Sequence, residues 1–82
     1  MWRVVIPRKV VKALERLPAH DRASVEVALE AMIDDPFNGD IKKLRGKEYR
    51  LRIGSYRILY EIDSTNHVVE IHEVVRRTST TY

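Results

Sequence analysis

The segment from Tyr49 to Tyr60 constrains the fold most, because it predicts a tight β-hairpin around the loop Gly54-Ser55. Glycine in the first position of a two-residue loop favours a type II′ turn, whose twist matches that of the flanking strands. This turn fixes the register of the two strands and places Arg52 directly opposite Arg57.

The alternation of side chains along these strands gives the hairpin two chemically different faces. One face is apolar and aromatic, and it carries Tyr49, Leu51, Ile53, Tyr56, Ile58 and Tyr60. The other face carries Arg50, Arg52 and Arg57. Arginines directly opposite each other repel, so stability alone would favour another residue type there. A solvated outer face is one interpretation, and a surface that binds anions, above all phosphate, is the other.

Basic residues are concentrated around this hairpin. Positions 42 to 57 hold seven basic residues and one acid, Glu48, whereas positions 19 to 40 hold six acids and one arginine, Arg22. The net charge of +3 alone would not identify a partner. An asymmetry of this kind indicates an anionic partner on one side of the molecule.

Length and composition bound the class of protein. The 82 residues leave room for one small domain, which we expect to span residues 1–82. A hydrophobic content of 44% argues against disorder, and the lack of cysteine excludes disulfides and thiolate metal sites. No apolar run approaches the roughly 18 residues of a membrane span, and the N-terminus lacks a signal-peptide core. We therefore expect a cytoplasmic protein with no membrane partner.

Two helices are predicted before the hairpin, after a strand candidate at residues 2–6. Pro7 suits the first turn of a helix, and apolar residues follow at helical spacing, namely Val10, Val11, Leu14 and Leu17. A second helix is predicted from about Ala19 to Asp35, where Pro36 ends it. Because the connection at Pro18 is very short, the helices should form an antiparallel hairpin.

One further strand is predicted from His67 to Val75, whereas residues 42–46 are interpreted as a basic connection. If this strand has no bulge, His72 lies beside Arg57, and Arg76 falls on the same face. The order β-α-α-β-β-β indicates an α+β domain, in which a helical hairpin packs on one face of a mostly antiparallel sheet. The second face of the sheet would then be free and basic.

No metal or cofactor is expected. His67 and His72 would point to opposite faces of a regular strand, and the glycines form no phosphate-binding loop. The remaining cluster consists of Arg50, Arg52, Arg57, His72, Arg76, Arg77 and Tyr82. Guanidinium groups bind phosphate, and tyrosine stacks on unstacked bases. The residues alone therefore predict an RNA-binding surface, with ribonuclease activity as an extension of it.

Three segments together resemble the RelE/ParE toxin superfamily, and within it the RelE branch of ribosome-dependent mRNA interferases. They are Lys43-Leu44-Arg45-Gly46, the two hairpin strands, and the ending from Arg76 to Tyr82. The resemblance implies a RelE-like, microbial ribonuclease-type fold and a cognate RelB-like antitoxin, which should block the basic sheet or displace the tail. It also implies the ribosome and mRNA as partners. The mRNA would be cut in the A site by its own 2′-hydroxyl, leaving a 2′,3′-cyclic phosphate and a 5′-hydroxyl.

The resemblance also implies roles for matching residues. Arg50 and Arg52 correspond to a base and a phosphate binder, Arg57 to a transition-state stabiliser, Arg76 to the residue that assists the leaving group, and Tyr82 to a base-stacking tyrosine. Because arginine does not lose its proton, we expect Arg50 and Arg52 to activate the 2′-hydroxyl electrostatically. Further RNA contacts are expected from Lys43, Arg45, Lys47, His72 and Arg77.

Alternatives remain open at this point. His72 is either the proton acceptor or a structural histidine. A ParE-like inhibitor of DNA gyrase would share the architecture without needing the RNA-cutting residues. A non-catalytic RNA-binding module would bind with strong salt dependence and release no product.

Overall fold

The computed structural model describes residues 1–76, which form two helices and a five-stranded sheet. The elements in chain order are β1 (Arg3–Val5), α1 (Arg8–Glu15), α2 (Ala19–Ala31), β2 (Ile41–Arg45), β3 (Glu48–Ile53), β4 (Tyr56–Asp63) and β5 (Val68–Arg76). The strand order is β1-β5-β4-β3-β2. β1 runs parallel to β5, and the other neighbouring strands are antiparallel. The predicted α+β class and mostly antiparallel sheet are confirmed.

The helices pack on one face of the sheet and bury its apolar side chains. α1 contacts β5, and α2 contacts β3. Helical residues four apart and alternate strand residues supply a shared core. This core consists of Val10, Leu14, Val25, Leu29, Met32, Leu51, Tyr56, Ile58, Tyr60, Ile62, Val69 and Ile71. Neither helix within residues 1–76 is long and apolar enough to cross a membrane.

β3 and β4 form the predicted hairpin in the predicted register. Gly54 has a φ of +54°, while Ser55 does not have a positive φ, as a type II′ turn requires. Arg52 pairs with Arg57. The amide of Arg52 donates its hydrogen bond away from β4, to the carbonyl of Asp40 at 3.0 Å. Arg52 and Arg57 are therefore a non-hydrogen-bonded pair, the geometry that brings cross-strand side chains closest together.

Residues Ile41–Arg45 form a strand, so the prediction of a basic connection there was wrong. Ile41 packs against the core, and Lys42 pairs with Arg50 on the opposite face. The register shifts at Leu44. Consecutive lysines masked the strand pattern, because charged residues are depleted in strands. They are tolerated here because β2 is an edge strand, where lysines discourage pairing with other chains.

A β-bulge interrupts β5. Tyr60 pairs with Ile71, but the preceding Leu59 pairs with Glu73, so His72 is an extra residue in the ladder. An extra residue in one strand reverses the alternation of side chains beyond it.

The pairing of β5 with β4 overturns two predictions, one through its register and one through the bulge. His72 does not lie beside Arg57, because the register of the two strands makes Val75 the partner of Arg57. Arg76 pairs with Tyr56, which belongs to the core. Because cross-strand partners share a face, Arg76 lies on the helix-bearing face rather than with Arg57.

Three smaller differences concern element ends and burial. α2 ends at Ala31 rather than near Asp35. The carboxylate of Asp35 accepts a hydrogen bond from the amide of Phe37 at 3.0 Å, a local turn that competes with helix continuation. Val11 was expected in the apolar stripe of α1, yet it is 41% exposed. An unbroken β5 would place Val74 on the free face, but Val74 packs against the core because it follows the bulge.

Candidate nucleic-acid interface

The sheet face turned away from the helices has a basic end. We call its four cations the basic patch: Lys42, Arg50, Arg52 and Arg57. Lys42 pairs with Arg50, and Arg52 pairs with Arg57, so two like-charged pairs lie side by side. Lys42 is not among the residues predicted from the sequence, because its strand was not predicted. An alternation beginning at Ile41 was the available signal.

Arg52 is the member of the basic patch with a carboxylate neighbour. Its Nε lies 3.8 Å from Oδ2 of Asp40, and the two side chains are 43% and 61% exposed. An ion pair this exposed contributes about 0–1 kcal/mol. Asp40 therefore orients Arg52 without cancelling the positive potential of the patch.

Arg50 carries an unsatisfied donor. Its Nε is buried and has no hydrogen-bond partner within the part of the chain that the structure describes. A buried donor without a partner costs about 1–3 kcal/mol. An unmet donor of this kind is typical of a functional site, and a bound anion would satisfy it.

Half-buried apolar residues flank these cations. Leu59 lies opposite Arg50, and Val75 lies opposite Arg57. Apolar neighbours exclude water from part of the patch, which strengthens the interaction of each guanidinium group with an anion.

The other end of the same face is acidic, which corrects the expectation that the free face is basic. Glu48, Glu61 and Glu70 lie there. His72 Nε2 is 3.3 Å from Oε1 of Glu61. Because His72 precedes the partner of Arg57 by three residues, it lies about 10 Å along the strand from that arginine. The structure does not bring His72 into the basic patch.

Arg76 lies at the same end of the sheet as Arg57 but on the helix-bearing face. Its neighbour Tyr56 donates a hydrogen bond from its hydroxyl to Oδ2 of Asp21 at 2.8 Å. This hydrogen bond raises the pKa of Tyr56, whereas the charge of Arg76 opposes the rise. Arg77 and Tyr82 lie outside the described residues.

The three other predicted RNA contacts are exposed but do not join the basic patch. Lys43 lies on β2 opposite a residue of the helix-bearing face. Arg45 lies opposite Glu48, and Lys47 follows in the turn between β2 and β3. This turn is at the end of the sheet remote from Gly54.

Comparison with known proteins places this geometry in a family. A model described as the ParE toxin of the type II toxin–antitoxin system parDE matches residues 4–80. The chain belongs to this ParE toxin family. A relative from Methanocaldococcus jannaschii, named RelE1, is 30% identical over 81 residues, covering 93% of this chain and 90% of the relative.

Solved structures confirm the RelE-like fold of this ParE-family chain. The archaeal RelE–RelB complex of Pyrococcus horikoshii OT3 contains a chain with a TM-score of 0.86 and 29% identity, and the match covers 96% of this chain and 98% of that one. The RelBE2 complex of Mycobacterium tuberculosis gives a TM-score of 0.79 and 28% identity, with coverage of 93% and 98%. Together with RelE1, these similarities identify a toxin of the RelE/ParE superfamily.

Proposed function

We propose that this ParE-family toxin is an endoribonuclease that cuts mRNA in the ribosomal A site. The observation that carries the proposal is the directly opposed Arg52 and Arg57 on a sheet face that neither helix covers. Close cations weaken a fold, but they suit a ligand that gains negative charge during a reaction. The similarity to RelE1 supports the RelE branch of the superfamily.

Cleavage by this route needs no cofactor. The 2′-oxygen of the mRNA attacks the adjacent phosphorus, and the bond from phosphorus to the 5′-oxygen breaks. The products are a 2′,3′-cyclic phosphate and a 5′-hydroxyl. Two guanidinium groups at the phosphate stabilise the extra charge of the five-coordinate transition state, while Arg50 and Lys42 position the neighbouring phosphates.

The proton of the 2′-hydroxyl is not taken by an arginine, because guanidinium groups stay protonated at any working pH. His72 lies about 10 Å along β5 from the residue that pairs with Arg57, and its Nε2 is 3.3 Å from Oε1 of Glu61. We therefore assign this proton to solvent, with the cations lowering the pKa of the hydroxyl, and solvent also supplies the proton that the leaving 5′-oxygen gains. Arg76 offsets charge on the leaving 5′-oxygen from the end of the sheet, and Tyr82 stacks on a base.

A RelB-like antitoxin completes the proposal, because the Pyrococcus and Mycobacterium chains are both toxins in RelB complexes. An apolar groove between α1, α2 and β1 offers it a second contact besides the basic patch. This groove encloses about 680 Å³, and it is lined by Ile6, Val11 and Val27, which are 36%, 41% and 65% exposed. Val27→Asp should weaken co-purification with the product of the neighbouring reading frame, and unchanged recovery would exclude this groove.

Induced expression followed by mapping of transcript 5′ ends tests the activity. Ribosome-associated mRNA should be cut within codons, and the new ends should carry 5′-hydroxyls. The matching family model is named for ParE, so gyrase inhibition is the competing function. A supercoiling defect with intact transcripts would establish that function and refute cleavage. Binding to programmed ribosomes without new ends would identify a non-catalytic RNA-binding module.

A further inference from the structure

The acidic end of the free face holds three glutamates in register across three strands. Glu48 pairs with Glu61, and Glu61 pairs with Glu70. Like charges directly opposite each other destabilise a sheet. Within residues 1–76, no lysine or arginine lies within ion-pair distance of these carboxylates. This repulsion destabilises the sheet, and the RNA cleavage proposed for the basic patch does not require it.

The β-bulge adds a nitrogen ligand to this acidic cluster. It makes His72 the extra residue of β5, and Nε2 of His72 lies 3.3 Å from Oε1 of Glu61. Bulges commonly re-aim a side chain beside a functional site. One ligand atom each from Glu61, Glu70 and His72 lies within 4.8 Å of the other two.

We propose that Glu61, Glu70 and His72 form a binding site for one divalent zinc ion. Ligand bonds of about 2.0–2.2 Å place the ligand atoms of a tetrahedral ion about 3.3–3.6 Å apart, which small rotations of these exposed and half-exposed side chains achieve. One imidazole with two carboxylates suits zinc better than calcium or magnesium, which prefer oxygen ligands alone. Water fills the remaining coordination position.

The charges balance when the ion binds. Two carboxylates neutralise one dication, and the repulsion between Glu61 and Glu70 becomes a shared attraction to the metal. All three ligands come from β4 and β5, so the ion links these two central strands. The site lies about 10 Å along the strand from the row of Arg57, so it is separate from the residues proposed to cut RNA.

Calorimetric titration of zinc into the full-length chain tests the site. The toxin is co-expressed with its antitoxin, separated from it, refolded, and freed of any histidine tag. We expect one ion per chain with a Kd in the micromolar range. Glu70→Gln and His72→Ala should each weaken binding at least 10-fold. His20→Ala and Glu73→Gln, which lie outside the cluster, should bind zinc as the parent does.

Thermal unfolding with and without zinc supplies a second readout. In EDTA, Glu70→Gln should melt at or above the parent temperature, because it removes a like-charged pair. In zinc the order should reverse, because the parent gains more stability from the ion than the variant does. Stoichiometric binding that survives both ligand substitutions would overturn the proposal. An absence of binding at about 100 µM zinc, by a parent chain with a native circular dichroism spectrum, would also overturn it.

Discussion

Replacing Arg57 by glutamine should stabilise the fold at low salt, although it removes a residue proposed for catalysis. Arg57 and Arg52 form a non-hydrogen-bonded pair, so their side chains leave the sheet at the closest cross-strand spacing. Glutamine keeps much of the aliphatic stem and lacks the charge. The substitution therefore isolates the repulsion between the two guanidinium groups.

The expected gain follows from the size of this repulsion. Two unit charges about 6 Å apart in a water-like dielectric repel by about 0.7 kcal/mol, and measured like-charged pairs in sheets cost about 0.2–1 kcal/mol. The Asp40 carboxylate, 3.8 Å from Nε of Arg52, offsets part of this cost in the parent. A net gain of about 0.5 kcal/mol should raise the Tm by about 2–4 °C in a domain of this size.

Thermal unfolding followed by circular dichroism at about 20 mM and about 500 mM salt measures the effect. Salt at the higher concentration screens charges beyond a few ångströms, so most of the gain should disappear. Arg45→Gln is the matched control. Because Arg45 lies opposite Glu48, removing its charge should not stabilise the fold. A lower Tm for Arg57→Gln at low salt, or a gain that salt does not change, would refute the repulsion.

Three further predictions concern the core, Arg76 and a turn. Burial raises the pKa of Tyr60 to about 12. Because an unfolded tyrosine titrates near 10, the parent should lose up to about 3 kcal/mol of stability as pH rises from about 10 to 12. Tyr60→Phe should flatten this loss in urea unfolding, and an equal loss would contradict the assignment. Arg76→Ala should slow cleavage by about 10-fold, because Arg76 lies on the helix-bearing face. This effect is smaller than that of losing a direct transition-state donor. A loss of rate as large as that of Arg57→Ala would place both residues at the phosphate. Gly39→Ala should destabilise the fold by about 1–3 kcal/mol, since Gly39 has a φ of +102° and a Cβ there would lie 3.1 Å from Cδ1 of Leu51. Gly46→Ala, with no atom within 4 Å of its Cβ, should cost less in the same urea assay.

The register of the central hairpin was predictable because one turn determines it. A two-residue loop that begins with Gly54 leaves a single way to pair the flanking strands, and the apolar alternation agrees with that pairing. Local turn chemistry and burial therefore support the same answer. This agreement made the opposed arginines visible in the sequence.

The β-bulge at His72 was not predictable from the local pattern. The side chains from Val68 to Arg76 fit a strand with the bulge or without it. The extra residue shows only in the pairing with β4. Its consequence is large, because it moves Arg76 to the other face and directs His72 to Glu61. The acidic cluster was not predicted for the same reason, since its members are separated in sequence and meet only across strands.

Single-turnover cleavage of programmed ribosomes tests most directly whether the basic patch performs the chemistry. Arg57→Ala should lower the rate of mRNA cleavage by about 100–1000-fold, the range expected for losing one preorganised transition-state donor. Arg8→Ala is the control, because Arg8 is an exposed residue at the start of α1, outside the basic patch, and should cleave at the parental rate. A folded Arg57→Ala variant that cleaves as fast as the parent would contradict the account.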